Sequence, residues 1–329
     1  METMQMKAVL ATGYGTAEVL QLSTVSRPQP KAHEVLVKVY ASSATRADSM
    51  MLSGKPYIGR LFNGLKKPKN PIPGTGFAGV VEAIGEDVSI FQQGDRVFGE
   101  TTLNFSTNAE YVAVAEKGVV LPMPDNMRYE EAASFCDGPL TSFNFLKGIA
   151  QVQPGEKVLI NGAAGSLGSA AVQLAKYLGA EVTGVCSTGN MGLVKSLGAD
   201  HVIDYRQQDF TQSDERYDFI YDTVGKSSFS QSQRVLRPYG MYLSPVLNFS
   251  LLLQMMRTSL FGTKKAKFAA TGLKSVDELR DLLAELLSIY QEGKLKPVID
   301  RQFPLEKLAE AHRYIELGHK KGNVVIVTA

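Results

Sequence analysis

The chain has 329 residues, 44% hydrophobic and 21% charged, with a net charge of +2 at neutral pH. That length favours two domains over one core, and the near-balanced charge leaves no basic footprint for a nucleic acid partner. Two cysteines in dissimilar contexts (Cys136, Cys186) and four scattered histidines exclude a disulfide framework and a four-thiolate zinc site.

In chain order, residues 1–10 lack the long apolar core of a signal peptide. Residues 34–40 alternate and are β-branched, which predicts a half-buried strand. Residues 79–85, 95–99 and 110–115 predict further strands, and the Pro and Gly between them suit a barrel-like domain of short strands. Near residue 125 helical spacing begins, followed by strands and helices in alternation. Strands are expected at 157–160, 181–186, 201–204, 218–222 and 240–243, with helices at 166–178, 190–197 and 227–236 between them. This order implies a parallel, doubly wound sheet. Residues 249–261 are the most apolar stretch, but they are too short to span a bilayer and are broken by Gln254, Arg257 and Thr258. A helix at 276–290, an extended run at 298–303 and a closing strand at 323–327 complete the pattern. The expected domains are 1–124 with 298–329, and 125–297 inserted between them. A cytoplasmic protein with no membrane span is the expectation.

Residues 158–168 run from a strand through Gly162, Ala163, Ala164 and Gly165 directly into a helix beginning at Ser166, Leu167 and Gly168. Against the pattern G-x-G-x-x-G, Ala163 replaces the first glycine, Gly165 lets the backbone approach a pyrophosphate, and Gly168 lets the helix pack on the strand. The helix N-terminus offers amides to phosphate oxygens. About 20 residues further on, an NAD-selective site places an acid against the ribose hydroxyls. Residues 186–190 carry no carboxylate there, only Ser187, Thr188 and Asn190, and Tyr205 ends the following strand. An acid would repel a 2′-phosphate and hydroxyls accept one, so the expected cofactor is NADPH. Ser187 and Thr188 can also cap the next helix.

Residues 74–88, 94–99, 109–112, 197–205 and 318–326 together resemble the medium-chain dehydrogenase/reductase superfamily, across essentially the whole chain and in the family's order. The resemblance implies a GroES-like β-barrel substrate domain formed by both chain ends, with a Rossmann NADP-binding domain between them. It also implies a homodimer. At the positions of the family's zinc ligands this chain has Thr45, the run Gly74-Thr75-Gly76, and a site near Asp137. Catalytic zinc takes three protein ligands of the Cys, His or Glu type; only Asp137 qualifies, so no metal is expected. The chain is similar to the quinone oxidoreductase branch and its enone-reducing relatives. It departs from the branch at Thr45-Arg46-Ala47-Asp48, where many members carry Asn-Pro-x-Asp, and at Gly76, where a carboxylate is common.

That resemblance implies NADPH-dependent hydride transfer to a quinone or an α,β-unsaturated carbonyl, with no metal to assist. Candidate catalytic groups are Thr45, Tyr57 and Asp137. Tyr57 matches a stretch that holds a proton-donating tyrosine in enoyl reductases, though it can equally be a surface loop residue. Thr45 can equally be a buried hydroxyl bonded to backbone. Thr141, Ser244 and Asn323 match positions that approach the cofactor. His312 and His319 read as solvated helix residues, and the basic loops at 60–69 and 264–267 as solvated surface. The 251–261 stretch reads as a lid or hydrophobic substrate wall, with Leu252 and Met256 as its testable positions. Two alternatives stand: an enoyl-thioester reductase of the same fold, and a non-catalytic NADPH-binding protein.

Overall fold

Alternating β-branched residues build the first part of the chain. Its strands are β1 (Gln5–Ala11), β2 (Leu20–Ser26), β3 (Glu34–Ala44), β4 (Gly76–Ile84), β5 (Arg96–Glu100), β6 (Tyr111–Ala115) and β7 (Val119–Pro122), with helices Arg46–Ser53 and Tyr129–Ala133. Strands and helices then alternate through β8 (Lys157–Asn161), β9 (Glu181–Cys186), β10 (His201–Asp204), β11 (Tyr217–Asp222), β12 (Leu236–Ser244) and β13 (Lys265–Phe268). Helix Val276–Gln291, β14 (Ile299–Pro304), helix Leu308–Glu316 and β15 (Asn323–Val327) close the chain. These elements come from a computed structural model that describes residues 4–55, 57, 60 and 64–328.

Two compact units result: Met1–Asp137 with Gly272–Ala284 and Ile299–Ala329, and Gly138–Thr271 with Glu285–Val298. In the first, the strand order is β14-β15-β3-β4-β5-β7, with β6 also paired to β3 and β1-β2 forming a separate antiparallel pair. The inward face of β3 (Val35, Val37, Val39) packs with Phe77, Val97 and Val112 into one apolar cluster. The unit runs past residue 125 because that segment is bound to the barrel. Tyr129 stacks on Tyr40 at 4.7 Å, Phe135 meets Phe98 edge-on at 5.9 Å, and the Arg96 guanidinium donates to the Met127 carbonyl at 2.7 Å.

The second unit is a six-stranded parallel sheet, ordered β10-β9-β8-β11-β12-β13. Connections from β8 run outward to β9 and β10, whereas β11, β12 and β13 run the other way. The order therefore reverses between β8 and β11. Such a switch point opens a crevice at the carboxyl ends of the strands, where doubly wound sheets bind ligands.

One expectation from the sequence is corrected here. His312 is fully buried, because it lies with Leu308, Ala311 and Ile315 on the inward face of its helix. Its Nδ1 is 2.8 Å from the Ser49 hydroxyl, and burial pushes its pKa down to about 4. His319 is exposed.

Candidate functional site

The switch-point crevice is framed by the turn after β8. Gly162 takes a left-handed conformation (φ +82°), and its amide and that of Ala163 both donate to the Val185 carbonyl, each at 3.0 Å. The Gly165 amide closes the turn on the Gly162 carbonyl at 3.0 Å. Gly165 then caps helix Ser166–Tyr177 with no side chain over the helix end. First-turn amides lack partners within their own helix, and the end is positive, so an anion is the natural occupant.

The two glycines do different work. A methyl at Gly168 would sit 2.1 Å from the Gly162 carbonyl oxygen, so only glycine allows helix and strand to approach this closely. A methyl at Gly165 would meet nothing nearer than that oxygen at 3.5 Å, which leaves its face open. Ala163, Ala164 and Ser166 are packed beneath, and Leu167 is half-buried. Thr141 is half-buried on helix Gly138–Phe143, which is fastened to the turn by the Ser142 hydroxyl donating to the Leu167 carbonyl at 2.8 Å.

Across the switch point the Asp222 carboxylate organises the loop after β11. It accepts from the amides of Gly225 (3.0 Å) and Ser227 (2.9 Å), from Asn161 (3.0 Å) and from the Tyr242 hydroxyl (2.8 Å). Ser244 serves this same loop. Its buried hydroxyl donates to the Asp222 carbonyl at 3.1 Å and accepts from the Val246 amide at 3.2 Å.

At the ends of β9 and β10, Ser187 and Asn190 make no side-chain cap bond, so capping does not occupy them. Thr188 donates its hydroxyl to Asp204 at 2.5 Å. Asp204 also accepts from the Arg206 amide at 3.0 Å and from Gln207 at 3.2 Å; the Thr188 bond, above all, holds its pKa down. Tyr205 and Arg206 are exposed beside it. Sequence reasoning placed neither the Asp204 carboxylate nor the Arg206 cation at this tip. The signal lay in residues 204–206, which a scan confined to the loop after β9 does not reach.

The first unit holds a second concentration of chemistry. Thr45 is no free hydroxyl: it caps helix Arg46–Ser53, donating to Asp48 at 2.8 Å and accepting from the Asp48 amide at 3.0 Å. Its proton is committed to Asp48 in a reciprocal capping box, which leaves one acceptor lone pair and no free donor on the hydroxyl. Burial pushes the Asp48 carboxyl up to about 7 against the bonds from Thr45, with the Asp137 charge adding to the rise. Glu100, at the end of β5, is pushed up to about 8, first by burial and then by the charges of Asp137 and Asp48. Cys136 is buried and its thiol is raised by the same surroundings. Lys320 faces Asp137 and Asp300, yet burial draws its pKa down. Glu100 was missed in the sequence, although an acid directly after an apolar strand is a visible sign. Just beyond it, Thr102, Phe105 and Ser106 hold φ values of +52°, +52° and +80°. Such strain in non-glycine residues persists only where the surroundings enforce it and is common near functional sites.

Tyr57 is 66% exposed, and its ring is stacked by the Arg60 guanidinium at 4.8 Å; Pro56, in the stretch that suggested it, lies outside the described residues. Asn323 is buried at the start of β15. A zinc ion does not suit the donors in the first unit. Thr45 is committed to Asp48, Thr75 contributes a hydroxyl, and no group of three or more His, Cys, Asp or Glu among the described residues could hold a metal.

Comparison with known proteins defines the class. The alcohol dehydrogenase GroES-like domain family matches residues 31–125, and the zinc-binding dehydrogenase family matches residues 197–326. The chain is 33% identical to the 2-methylene-furan-3-one reductase of Solanum lycopersicum, over 98% of this chain and 79% of that protein. It is 31% identical to a quinone oxidoreductase of Homo sapiens, covering 94% of each chain. The solved structure of the quinone oxidoreductase from Coxiella burnetii superposes with a TM-score of 0.87 at 28% identity, over 99% of this chain and 100% of that one. The chain belongs to the medium-chain dehydrogenase/reductase superfamily, in its quinone oxidoreductase and enone reductase branch. It is thus an oxidoreductase of a family that works with a nicotinamide cofactor.

Proposed function

We propose that the protein is an NADPH-dependent, metal-independent reductase of quinones or α,β-unsaturated carbonyls. The observation that carries this reading is the uncapped turn from Gly162 to Gly168 at the β8/β11 switch point, open at Gly165 and tight at Gly168. A nicotinamide dinucleotide, when bound, supplies the hydride. The chain's part is to grip its pyrophosphate with the first-turn amides. Ser187 and Arg206 are the donors for a 2′-phosphate, with Tyr205 beside them. Thr188 cannot donate to it, because its proton points to Asp204. Asp204 is already occupied by three donors, which blunts its repulsion of a phosphate.

Without a Lewis acid, simple ketones gain little help, whereas quinones and enones delocalise the incoming electron pair onto oxygen. That oxygen then takes a proton. Glu100, raised to about 8, holds one at neutral pH, and Asp137 shares its electrostatic field. A positioned acid is worth about 10²–10⁴-fold. We assign this proton to the Glu100–Asp137 pair rather than to Thr45 or the exposed Tyr57.

The test follows absorbance of NADPH and NADH with quinones, enones, simple aldehydes and enoyl thioesters, with and without a chelator. Chelator-insensitive oxidation of NADPH with quinones or enones is expected. Preference for enoyl thioesters moves the assignment to a thioester reductase, and tight NADPH binding without turnover to a binding protein. Loss of activity with chelator refutes metal independence.

A further inference from the structure

Helix Phe249–Leu260 is apolar on two opposite sides. Leu251, Met255 and Thr258 face the sheet, where Leu251 and Met255 join the apolar core and the Thr258 hydroxyl accepts from the Ala266 amide at 3.1 Å. Phe249, Leu252, Leu253, Met256 and Leu260 face outward, 42–77% exposed. At the helical rotation of 100° per residue these five fall within an arc of about 100°. Phe261, just past the helix, is 71% exposed as well. An apolar stripe this regular on a surface marks an interaction site.

Charge identifies what it meets. From Thr223 to Val276 the sequence has eight lysines and arginines and no aspartate or glutamate. Arg234, Arg237 and Lys274 are paired with carboxylates from outside that run. Arg257, on the flank of the stripe, and Lys264, Lys265 and Lys267, just beyond the helix, form no ion pair among the described residues. A second copy would bring this uncompensated positive surface against itself. An anionic bilayer supplies both what the stripe lacks and what the cations lack: an apolar layer beneath a negative surface.

We propose that helix Phe249–Leu260 docks the protein on anionic membrane surfaces, its outward stripe entering the headgroup–acyl boundary and the exposed Arg257 and Lys267 engaging acidic headgroups. Lys264, which donates to the Gln233 carbonyl, and Lys265, which donates to the Thr258 and Gly262 carbonyls, add to the positive field. Among the described residues no helix is long and apolar enough to cross a membrane, so the contact proposed is with the bilayer surface. The inference is independent of which acceptor the enzyme reduces.

The experiment is co-sedimentation of the full protein with vesicles of phosphatidylcholine alone or mixed with phosphatidylserine, at low and high salt. Two variants accompany it: Leu252→Ser/Leu253→Ser/Met256→Ser and Arg257→Glu/Lys267→Glu. All five positions are exposed, so both variants are expected to melt with the wild type. The wild type should bind the mixed vesicles, release in salt and ignore phosphatidylcholine, and each variant should bind about tenfold or more weakly. Absence of binding to mixed vesicles overturns the proposal. So does a dimer that the serine variant converts to monomer while vesicle binding stays intact, or a raised acceptor KM with vesicle binding unchanged.

Discussion

At Thr45 and Asp48 one residue's local role decides its chemistry. Thr45 ends a strand and opens a helix, and its hydroxyl exchanges bonds with Asp48 across the first turn. Replacing a capping threonine by alanine typically costs about 1 kcal/mol. Thr45→Ala should therefore lower the unfolding free energy read from urea titration by that amount and leave turnover within a few-fold of wild type. A hundredfold fall in turnover with an unchanged unfolding free energy would instead assign Thr45 a catalytic role. His312 shows the same logic with charge. Its folded pKa is about 4 against an ordinary 6.5, so between those values the unfolded chain binds more protons than the folded one. Stability then falls as pH drops from 6.5 towards 4 and levels off below, a loss of up to about 3 kcal/mol. Urea titrations at pH 7 and pH 5 should show the wild type losing stability relative to His312→Gln as the pH falls, the contributions of Asp48 and Glu100 being common to both.

Among elements, the strand–turn–helix at 157–177 offers a separable pair of substitutions. Gly168→Ala drives a methyl into the Gly162 carbonyl, so the helix must shift; both the melting temperature and dinucleotide affinity should fall. Gly165→Ala has room and an ordinary φ of −76°, so the fold should hold while the added methyl obstructs a bound pyrophosphate. Calorimetry with NADPH alongside thermal melts separates the two: equal melting and affinity losses at Gly165 would mean that it serves packing alone. This turn was legible because the flanking strand and helix carry strong periodicity. Helix Phe249–Leu260 was not, because apolar residues on both sides blur the 3.6-residue pattern into a featureless run. His312 was misread for the opposite reason. Charged neighbours at Glu310, Arg313 and Glu316 suggested a solvated helix, although its spacing from Leu308 and Ile315 put it on the buried stripe. Glu100 and Asp204 escaped because the partners that define them, Asp48 and Asp137 for one and Thr188 for the other, are far away in sequence and brought close only by the fold.

For the whole molecule, the alternation of strands and helices and the family motifs made both domain types legible. What no linear pattern reports is how three acids far apart in sequence share one buried field. Asp48, Glu100 and Asp137 meet only because β3, β5 and the segment after helix Tyr129–Ala133 converge in the first unit. That convergence couples chemistry to stability. Glu100 is raised from 4.5 to about 8, so the folded state binds more protons than the unfolded state between those values. Its stabilising contribution is complete below pH 4.5, shrinks as pH rises, and is exhausted above about 8. The slope is on the order of 1 kcal/mol per pH unit. Glu100→Gln keeps the shape and removes the titration. Its stability should therefore decline less steeply than wild type between pH 6 and 8, with a residual slope from Asp48, which titrates near 7. If Glu100 also holds the proton used in turnover, wild-type kcat should fall above about pH 8, and Glu100→Gln should lose about 10²-fold in kcat at neutral pH. A variant with the shallower stability slope but full kcat would make the cluster a purely structural feature and return the proton to solvent.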